Sequence, residues 1–279
     1  MPPDAITSSD EIMPRRAARP DRAPKTARKP ARLVAIASGK GGVGKTWLSL
    51  TLAHALSLRQ RRVLVVDADF GLANADVQLG HLPDADLGAV LNRKALLKDC
   101  IFPVEAGGFD LIAGQSGSGR LAGLMPPAVD VLLEQLVDSA GNYDMVLFDL
   151  GTGAEPAMRR FSVSVDTVLL VLTEDPASLT DAFAVLKLLK NDRAAFGLGV
   201  DARVVINQAQ SGASAKRTHA AFAKAARGFL RIDPPLLGTI NRDQSVNEAV
   251  REQKLLLARS PRSTAAASVL AIARRLASR

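Results

Sequence analysis

The chain has 279 residues and a net charge of +8, and its composition is 47% hydrophobic but only 4% aromatic. This length suits one large α/β domain or two small ones, and we favour one domain with a core of aliphatic side chains. The single cysteine, Cys100, excludes an internal disulfide and a Cys-x-x-Cys metal site within one chain. No apolar stretch reaches the length of a membrane span and no secretory signal is recognisable, so we expect a cytoplasmic protein.

Residues 1–31 are predicted to form a disordered basic arm. Residues 1–32 hold eight basic and four acidic side chains, many prolines and few large apolar residues. Such a segment buries too little apolar surface to offset the entropy of ordering it. The arm could contact a nucleic acid, an acidic membrane or an acidic partner, or it could simply keep the protein soluble. Residues 32–279 are expected to form the folded domain.

Residues 38–46 read Ser-Gly-Lys-Gly-Gly-Val-Gly-Lys-Thr, between an apolar run at 33–37 and a helical pattern at 47–58. A glycine-rich loop between a strand and a helix can turn its backbone N–H groups around a polyphosphate. Lys45 can reach the β and γ oxygens, and Thr46 can offer its hydroxyl to Mg²⁺. A second lysine, Lys40, precedes Lys45 by five positions. The predicted nucleotide-binding residues of this phosphate loop are Gly39, Gly41, Gly42, Val43, Gly44, Lys45, Thr46 and Trp47.

Strand and helix patterns alternate along the rest of the chain. The strand candidates are 63–66, 111–112, 145–148, 167–172, 203–206 and 236–240. The helix candidates are 128–139, 156–163, 178–195, 213–229, 244–251 and 263–276. This alternation predicts an α/β fold with a mostly parallel central sheet and helices on both faces, with the ligand beyond the carboxyl ends of the strands.

Two carboxylates, Asp67 and Asp69, follow the second predicted strand. If the strand continued, both side chains would point to the same side, so that one could reach Mg²⁺ and the other could orient the water attacking the γ phosphate. In the alternative interpretation, both acids stabilise a turn or cap the next helix.

Two further polar residues end predicted strands. Asp149 follows the run 145–148 and precedes Leu150-Gly151-Thr152-Gly153, so it fits the second acid of a nucleotide hydrolase beside a loop that could rearrange. Asn207 follows 204–206, and its amide presents the donor and the acceptor that an adenine edge requires. A turn asparagine would give the same pattern.

Together these motifs resemble those of the MinD/ParA family of P-loop ATPases, whose loop Lys-Gly-Gly-x-Gly-Lys-[Ser/Thr] corresponds to residues 40–46. The segments 67–80, 178–189, 238–243 and 250–253 look like the flagellar-number regulators FlhG and FleN. The resemblance covers about residues 32–276. It implies a P-loop NTPase (MinD/ParA-like) fold, slow hydrolysis of ATP with Mg²⁺ and an ATP-dependent homodimer.

The resemblance also implies residue roles. The catalytic residues would be Lys40, which crosses the dimer interface to the partner's phosphates, Lys45, Asp69 and Asp149. Magnesium would be held directly or through water by Thr46, Asp67 and Asp149, and Asn207 would contact adenine. Three features of the domain depart from the family pattern. Trp47 replaces a small polar residue, Leu150-Gly151-Thr152 replaces the commoner switch sequence, and Asn241 stands where many relatives have proline, near the expected base pocket.

The leading hypothesis is a regulatory ATPase that controls flagellar number or placement through partners, expected to be a flagellar GTPase or a transcriptional regulator. The alternative is a ParA-like DNA-segregation ATPase that binds nucleoid DNA without sequence preference. A helical wheel places Lys216, Lys224, Arg227 and Arg231 together, opposite Phe222, Ala225 and Phe229. This basic stripe could neutralise DNA phosphates, but we favour its interpretation as an ordinary solvated helix face.

The last predicted helix, 263–276, is amphipathic. We favour core packing for its apolar face over weak contact with a membrane surface. Recruitment of the protein to a cell pole or to the inner membrane surface is left open.

Overall fold

The computed structural model describes residues 30–114, 126–153 and 155–278. All but the last two residues of the predicted basic arm lie outside this part of the chain. The boundary between arm and domain therefore stays a prediction.

Eight strands form one sheet in the described residues. They are β1 Arg32–Ser38, β2 Val63–Ala68, β3 Ile101–Val104, β4 Phe109–Ile112, β5 Met145–Thr152, β6 Thr167–Leu172, β7 Ala202–Ala209 and β8 Leu236–Asn241. Their order is β3-β4-β2-β5-β1-β6-β7-β8, and every adjacent pair is parallel except β3 with β4. The predicted, mostly parallel sheet is confirmed.

Ten α-helices lie within the described ranges. They are α1 Lys45–Ser57, α2 Ala75–Gln78, α3 Leu87–Leu91, α4 Pro126–Ala140, α5 Pro156–Ser164, α6 Pro176–Ala195, α7 Gly212–Ala225, α8 Gln244–Arg251, α9 Leu256–Arg259 and α10 Thr264–Ala277. The sequence patterns predicted the long helices, whereas the short helices α2, α3 and α9 have too few residues to show a periodic pattern.

Helices cover both faces of the sheet, and an apolar cluster lies under each layer. One cluster contains side chains of α4 to α7, among them Leu132, Phe161 and Leu186. The other contains side chains of α1 and α10, among them Leu48 and Ile272. Because both faces are covered, central strands such as β2 and β6 are buried along their whole length.

The apolar face of α10 packs in the core, as the favoured interpretation predicted. Val269, Ile272 and Leu276 are fully buried, and α10 lies against α1 and β8. Within the described residues, no helix combines the length and the apolar character that a bilayer crossing requires.

Two parts of the sequence interpretation were wrong. The sequence analysis missed strand β3. This strand is short, antiparallel and at the edge of the sheet, and it contains Pro103, a residue that is not expected in a buried parallel strand. The helical wheel for 213–229 was also wrong in its last turn. Helix α7 ends at Ala225 and a π-turn follows, so Phe229 is 82% exposed although Phe222 is buried as predicted. A π-turn rotates less per residue than an α-helix, so residues within it leave the predicted faces.

Candidate functional site

The phosphate loop connects the carboxyl end of β1 with the first residue of α1. Gly42 and Gly44 have positive φ angles of 76° and 90°, which glycine adopts without steric cost. A Cβ on Gly44 would lie 2.5 Å from Nδ2 of Asn207, so the close approach of that side chain also requires glycine. Gly44 precedes the N-terminus of α1, where unpaired backbone N–H groups favour an anion.

Lys45, the first residue of α1, is only 7% exposed. Burial lowers the pKa of its ammonium, although the charges of Asp149, Asp69 and Asp67 act in the opposite direction. The positive charge of Lys45 is therefore attracted by all three carboxylates. A polyphosphate at the loop would add the negative charge that keeps this lysine protonated.

Asp67 on β2 and Asp149 on β5 are partners in the register of the two strands, and both are fully buried. Burial, together with the charge of Asp149, raises the pKa of Asp67 to about 8, despite three backbone hydrogen bonds. Burial also raises the pKa of Asp149 to about 6, against the effects of Thr46, Lys45 and Ser49. Two buried carboxylates side by side repel each other, and a divalent cation would remove that repulsion.

The donor set around these acids fits Mg²⁺. Ser49, one helical turn after Lys45, donates to Oδ1 of Asp149 at 3.0 Å, while Oδ2 of Asp149 is buried without a hydrogen-bond partner among the described residues. Carboxylate and hydroxyl oxygens are the ligands that Mg²⁺ prefers, directly or through water. Thr46, Asp67 and Asp149 supply these groups. Sequence reasoning missed Ser49, although its spacing from Lys45 on α1 could have indicated it.

The segment after β2 is held by the predicted acids themselves. Oδ2 of Asp67 accepts hydrogen bonds from the backbone N–H groups of Asn74 and Ala75, both at 2.9 Å, where α2 begins. Oδ1 of Asp69 accepts from the N–H groups of Gly71 and Leu72, at 3.2 and 3.0 Å. The alternative interpretation, in which both acids stabilise the following turn and helix, thus describes contacts that the structure contains.

Asp69 lies beside the loop that follows Asp149. A Cβ on Gly151 would lie 3.2 Å from Oδ1 of Asp69, so a glycine at this position leaves room for the carboxylate. The carboxylate predicted to orient the attacking water therefore lies next to the segment 150–153, which was predicted to rearrange.

Lys40 lies at the outer rim of the phosphate loop. Its Nζ forms an ion pair with Asp175, whose carboxylate also accepts from the N–H of Ala177 at the start of α6. The side chains of Lys40 and Asp175 are 41% and 45% exposed. Both residues line a cavity of about 400 Å³ that also includes Gln208 and Arg242. Contact of Lys40 with a partner's phosphates stays a prediction.

A second cavity, of about 390 Å³, adjoins the phosphate loop. We call it the base cavity. Gly44, Trp47 and Asn207 line one side of it, and residues of β8 and α8 line the other. Nδ2 of Asn207 donates to the carbonyl of Val43 at 2.7 Å, so this amide braces the loop as well as facing the cavity. Sequence reasoning missed the contribution of α8, because its residues are distant along the chain from the phosphate loop.

Comparison with known proteins identifies the family. The nucleotide-binding domain of the CobQ/CobB/MinD/ParA family matches residues 34–257. Antiactivator FleN of Pseudomonas aeruginosa is 34% identical over 247 residues, which cover 88% of this chain and 86% of FleN. Flagellum site-determining protein YlxH of Helicobacter pylori is 32% identical over 89% of this chain and 82% of YlxH.

Solved structures show the same fold. The cell division ATPase MinD of Pyrococcus furiosus has a TM-score of 0.74 at 26% identity and covers 88% of this chain and 98% of its own. Septum site-determining protein MinD of Pyrococcus horikoshii, complexed with Mg-ADP, has a TM-score of 0.73 at 26% identity and covers 89% and 96%. The predicted fold and family are confirmed. This chain belongs to the CobQ/CobB/MinD/ParA nucleotide-binding family, within its MinD/ParA ATPases.

Proposed function

We propose that this protein is a Mg²⁺-dependent ATPase that regulates flagellar number or placement, using the ATP-bound state as a timed signal to partner proteins. Similarity to FleN and YlxH extends over more than four fifths of each relative. The name of one relative states antiactivation and the name of the other states determination of the flagellar site. The second name connects this chain with the flagellum, and the first indicates regulation through a partner.

The single observation that carries the ATPase proposal is the cluster of Lys45, at the start of α1, with Asp67 and Asp149, at adjacent strand ends. Lys45 and the loop N–H groups would hold the β and γ phosphates. Thr46, Asp67 and Asp149 would hold Mg²⁺, which would supply positive charge to the phosphates. Asp69 would orient the attacking water.

The proposal includes an ATP-dependent homodimer in which Lys40 reaches the phosphates of the other subunit. The ion pair of Lys40 with Asp175 is exposed, and water and salt screen such surface pairs, so this pair contributes little to stability. Its exchange for a partner's phosphate therefore costs little. Hydrolysis would remove that phosphate and release the two subunits.

The molecular mass in solution tests the dimer. With Mg²⁺ and ATP the purified protein should dimerise, and Lys40→Ala should abolish this response, as measured by light scattering. Lys98→Ala removes an exposed lysine in the segment between α3 and β3 and should behave as the wild type. A wild-type protein that stays monomeric with Mg²⁺ and ATP would contradict the dimer mechanism.

The partners proposed are a flagellar GTPase or a transcriptional regulator, and the relative named antiactivator favours the regulator. We place the protein in the cytoplasm, with recruitment to a cell pole or to the inner membrane surface. Deletion of the gene should change the number or the position of flagella. Normal flagellation in the deletion strain would refute the cellular assignment.

A second candidate function is non-specific binding of nucleoid DNA by a ParA-like ATPase. Lys216, Lys224 and Arg231 are exposed, which favours it, whereas Arg227 is already paired with Asp233. DNA retention that requires ATP and falls steeply with salt would support this candidate. Absence of retention at low salt would exclude it.

A further inference from the structure

A cavity of about 400 Å³ lies at the amino ends of β7 and β8. The phosphate loop follows the carboxyl end of β1, so this cavity is at the opposite end of the parallel strands. We call it the arginine cavity. None of the described residues that line it is acidic, and they are Arg203, Pro235, Leu236, Leu237, Arg275 and Ser278.

Arg203 brings a fixed guanidinium to the arginine cavity. The residue is only 5% exposed, and its Nε and Nη2 donate to the carboxylate of Asp201 at 2.9 and 2.7 Å. This two-point contact fixes the plane of the group. Nη1 has no hydrogen-bond partner among the described residues, and it is not one of the unpaired atoms there that are sealed from solvent. It therefore stays available to a ligand.

Arg275 brings a second guanidinium from the end of α10. Its Nη1 donates to the carbonyl of Leu237 at 2.6 Å, which connects α10 with β8 beside the cavity. Its Nε and Nη2 make no hydrogen bond to any residue that the structure describes. Two guanidinium groups from separate elements thus offer unused N–H donors at one cavity. Such donors bind oxyanions.

The arrangement favours a phosphate group over a carboxylate. One guanidinium can satisfy both oxygens of a carboxylate, whereas the three outer oxygens of a phosphomonoester can accept from two arginines at once. The cavity is larger than a phosphate, and Pro235, Leu236 and Leu237 give it apolar walls. Cavities of about 300–1,000 Å³ with apolar walls and a few polar groups typically hold small molecules. A DNA duplex, whose phosphates lie on a convex backbone, would fit this concave site poorly.

We propose that the arginine cavity binds a small molecule that carries a phosphate group and an apolar part, at a site separate from the nucleotide site. Arg203 and Arg275 hold the phosphate, and the apolar walls contact the rest of the ligand. Strand β8 begins at the arginine cavity and ends at the base cavity, so the two sites lie at opposite ends of one strand. The inference goes beyond the proposed ATPase and does not rest on it.

Phenyl phosphate is the probe, because it joins a phosphate to an apolar ring. The full-length protein is first saturated with Mg-ADP, so that the phosphate loop is occupied. Saturation-transfer NMR then follows the phenyl protons during a titration, with phenol as the ligand that lacks phosphate. Arg275→Gln removes one guanidinium and Arg203→Lys keeps the charge without the fork. Arg274→Gln is the matched control, since Arg274 is an exposed neighbour on α10 that does not line the cavity.

We expect saturable binding of phenyl phosphate to the wild type in the presence of Mg-ADP, displacement by inorganic phosphate and no saturable binding of phenol. Arg275→Gln and Arg203→Lys should each weaken the binding of phenyl phosphate about tenfold, because each loses a charge-assisted hydrogen bond. Arg274→Gln should bind as the wild type does. The affinity for Mg-ADP should stay unchanged in all three variants.

Thermal unfolding shows whether each variant folds, and if Arg203→Lys is unstable, the exposed Arg275 decides through its comparison with Arg274. Equal binding by the wild type and Arg275→Gln would overturn the inference, as would binding that Mg-ADP abolishes, and both results would leave the proposed ATPase intact. Retention of a DNA duplex that Arg275→Gln loses, without binding of phenyl phosphate to the wild type, would also overturn it. Failure of the wild type to bind Mg-ADP would contradict the proposed function, and the same variants would still decide this inference.

Discussion

The carboxylate of Asp67, beside that of Asp149, has two roles in this site: it is a predicted magnesium ligand and it holds the start of α2. Asp67 is fully buried beside Asp149, and it also accepts the hydrogen bonds that start α2. An amide at position 67 would keep an acceptor oxygen for the backbone while removing the charge that Mg²⁺ requires. The two tasks are therefore separable by substitution.

We expect Asp67→Asn to lower Mg²⁺-dependent ATP hydrolysis by roughly 10- to 100-fold, because the metal loses a charged ligand or second-shell partner. The free energy of unfolding should not fall, because the substitution also removes the repulsion with Asp149. Phosphate release and urea unfolding measure the two effects. Asp76→Asn is the matched control, since within the described residues the Asp76 carboxylate accepts only from its neighbour Val77. Equal hydrolysis by wild type and Asp67→Asn would contradict the assignment.

At the scale of elements, Asp243 holds two helices at once. Its carboxylate accepts from the N–H of Ser245 at the start of α8, and from the hydroxyl of Thr264 and the N–H of Ala265 at the start of α10. Burial would raise the pKa of Asp243, but these hydrogen bonds outweigh it and lower the pKa to about 2. Helix α8 forms a wall of the base cavity, so this carboxylate positions that wall against the core.

Asp243→Ala should lower the free energy of unfolding by about 1–2 kcal/mol near neutral pH, as expected for loss of a helix cap. The ordinary pKa of this carboxyl is 3.8, so its stabilising contribution is fully present above that pH and is lost as the pH falls through about 2. Urea unfolding at a series of pH values should show the difference between wild type and variant shrinking in acid. A difference in the free energy of unfolding that is independent of pH would refute this explanation. Asp243→Asn should lower the free energy of unfolding less than Asp243→Ala, because it keeps one acceptor oxygen.

Gln253 connects α8 with α2. Its Nε2 donates to the carbonyl of Val77 at 2.8 Å, while the N-terminus of α2 is held by Asp67. The short helix α2 is therefore tied at one end to a predicted magnesium ligand and at the other to the wall of the base cavity. A structural change at the predicted magnesium site can therefore be transmitted through α2 to the wall of the base cavity, and the reverse.

Gln253→Leu should accelerate amide hydrogen exchange in residues 75–80 and lower the free energy of unfolding by about 0.5–1.5 kcal/mol, because one hydrogen bond to α2 is lost. Hydrogen exchange followed by mass spectrometry measures the local effect. Gln78→Leu serves as the control, since the Gln78 side chain bonds only to Asn74 within the same segment. Unchanged exchange in 75–80 would show that Gln253 does not hold α2.

At the scale of the whole molecule, the buried side chains of the two apolar clusters in the part of the chain that the structure describes come from residues 34–276. Arg32 connects the first strand with the last helix, because its guanidinium donates to the carbonyl of Leu276 and also to the hydroxyl of Thr167. The two ends of the predicted folded domain are therefore linked by a direct hydrogen bond.

Deletion of residues 1–29 should leave the thermal unfolding midpoint and the affinity for Mg-ADP within error of the full chain, because the composition of the arm predicts disorder and the deletion keeps every described side chain of the two clusters. Differential scanning calorimetry and titration of both proteins provide the comparison. A large drop in the midpoint would show that the arm packs on the domain, and would contradict its predicted disorder.

The sequence by itself determined the alternation of strands and helices, the phosphate loop and the acids at the strand ends. These features depend on local backbone geometry and on short-range periodicity, which neighbouring residues encode. Examples of such local features are the positive φ angles of the loop glycines and the polar residues that follow apolar runs. The candidate phosphate and magnesium residues could therefore be named before the fold was known.

Only the tertiary structure decided the antiparallel edge strand, the register that pairs Asp67 with Asp149, and the partner of Lys40 within its own chain. It also placed Arg203 and Arg275 at one cavity and turned Phe229 toward solvent. These features join residues that are far apart in the chain or follow an irregular turn. Packing and strand register across the sheet fix such relations, and no local pattern records them.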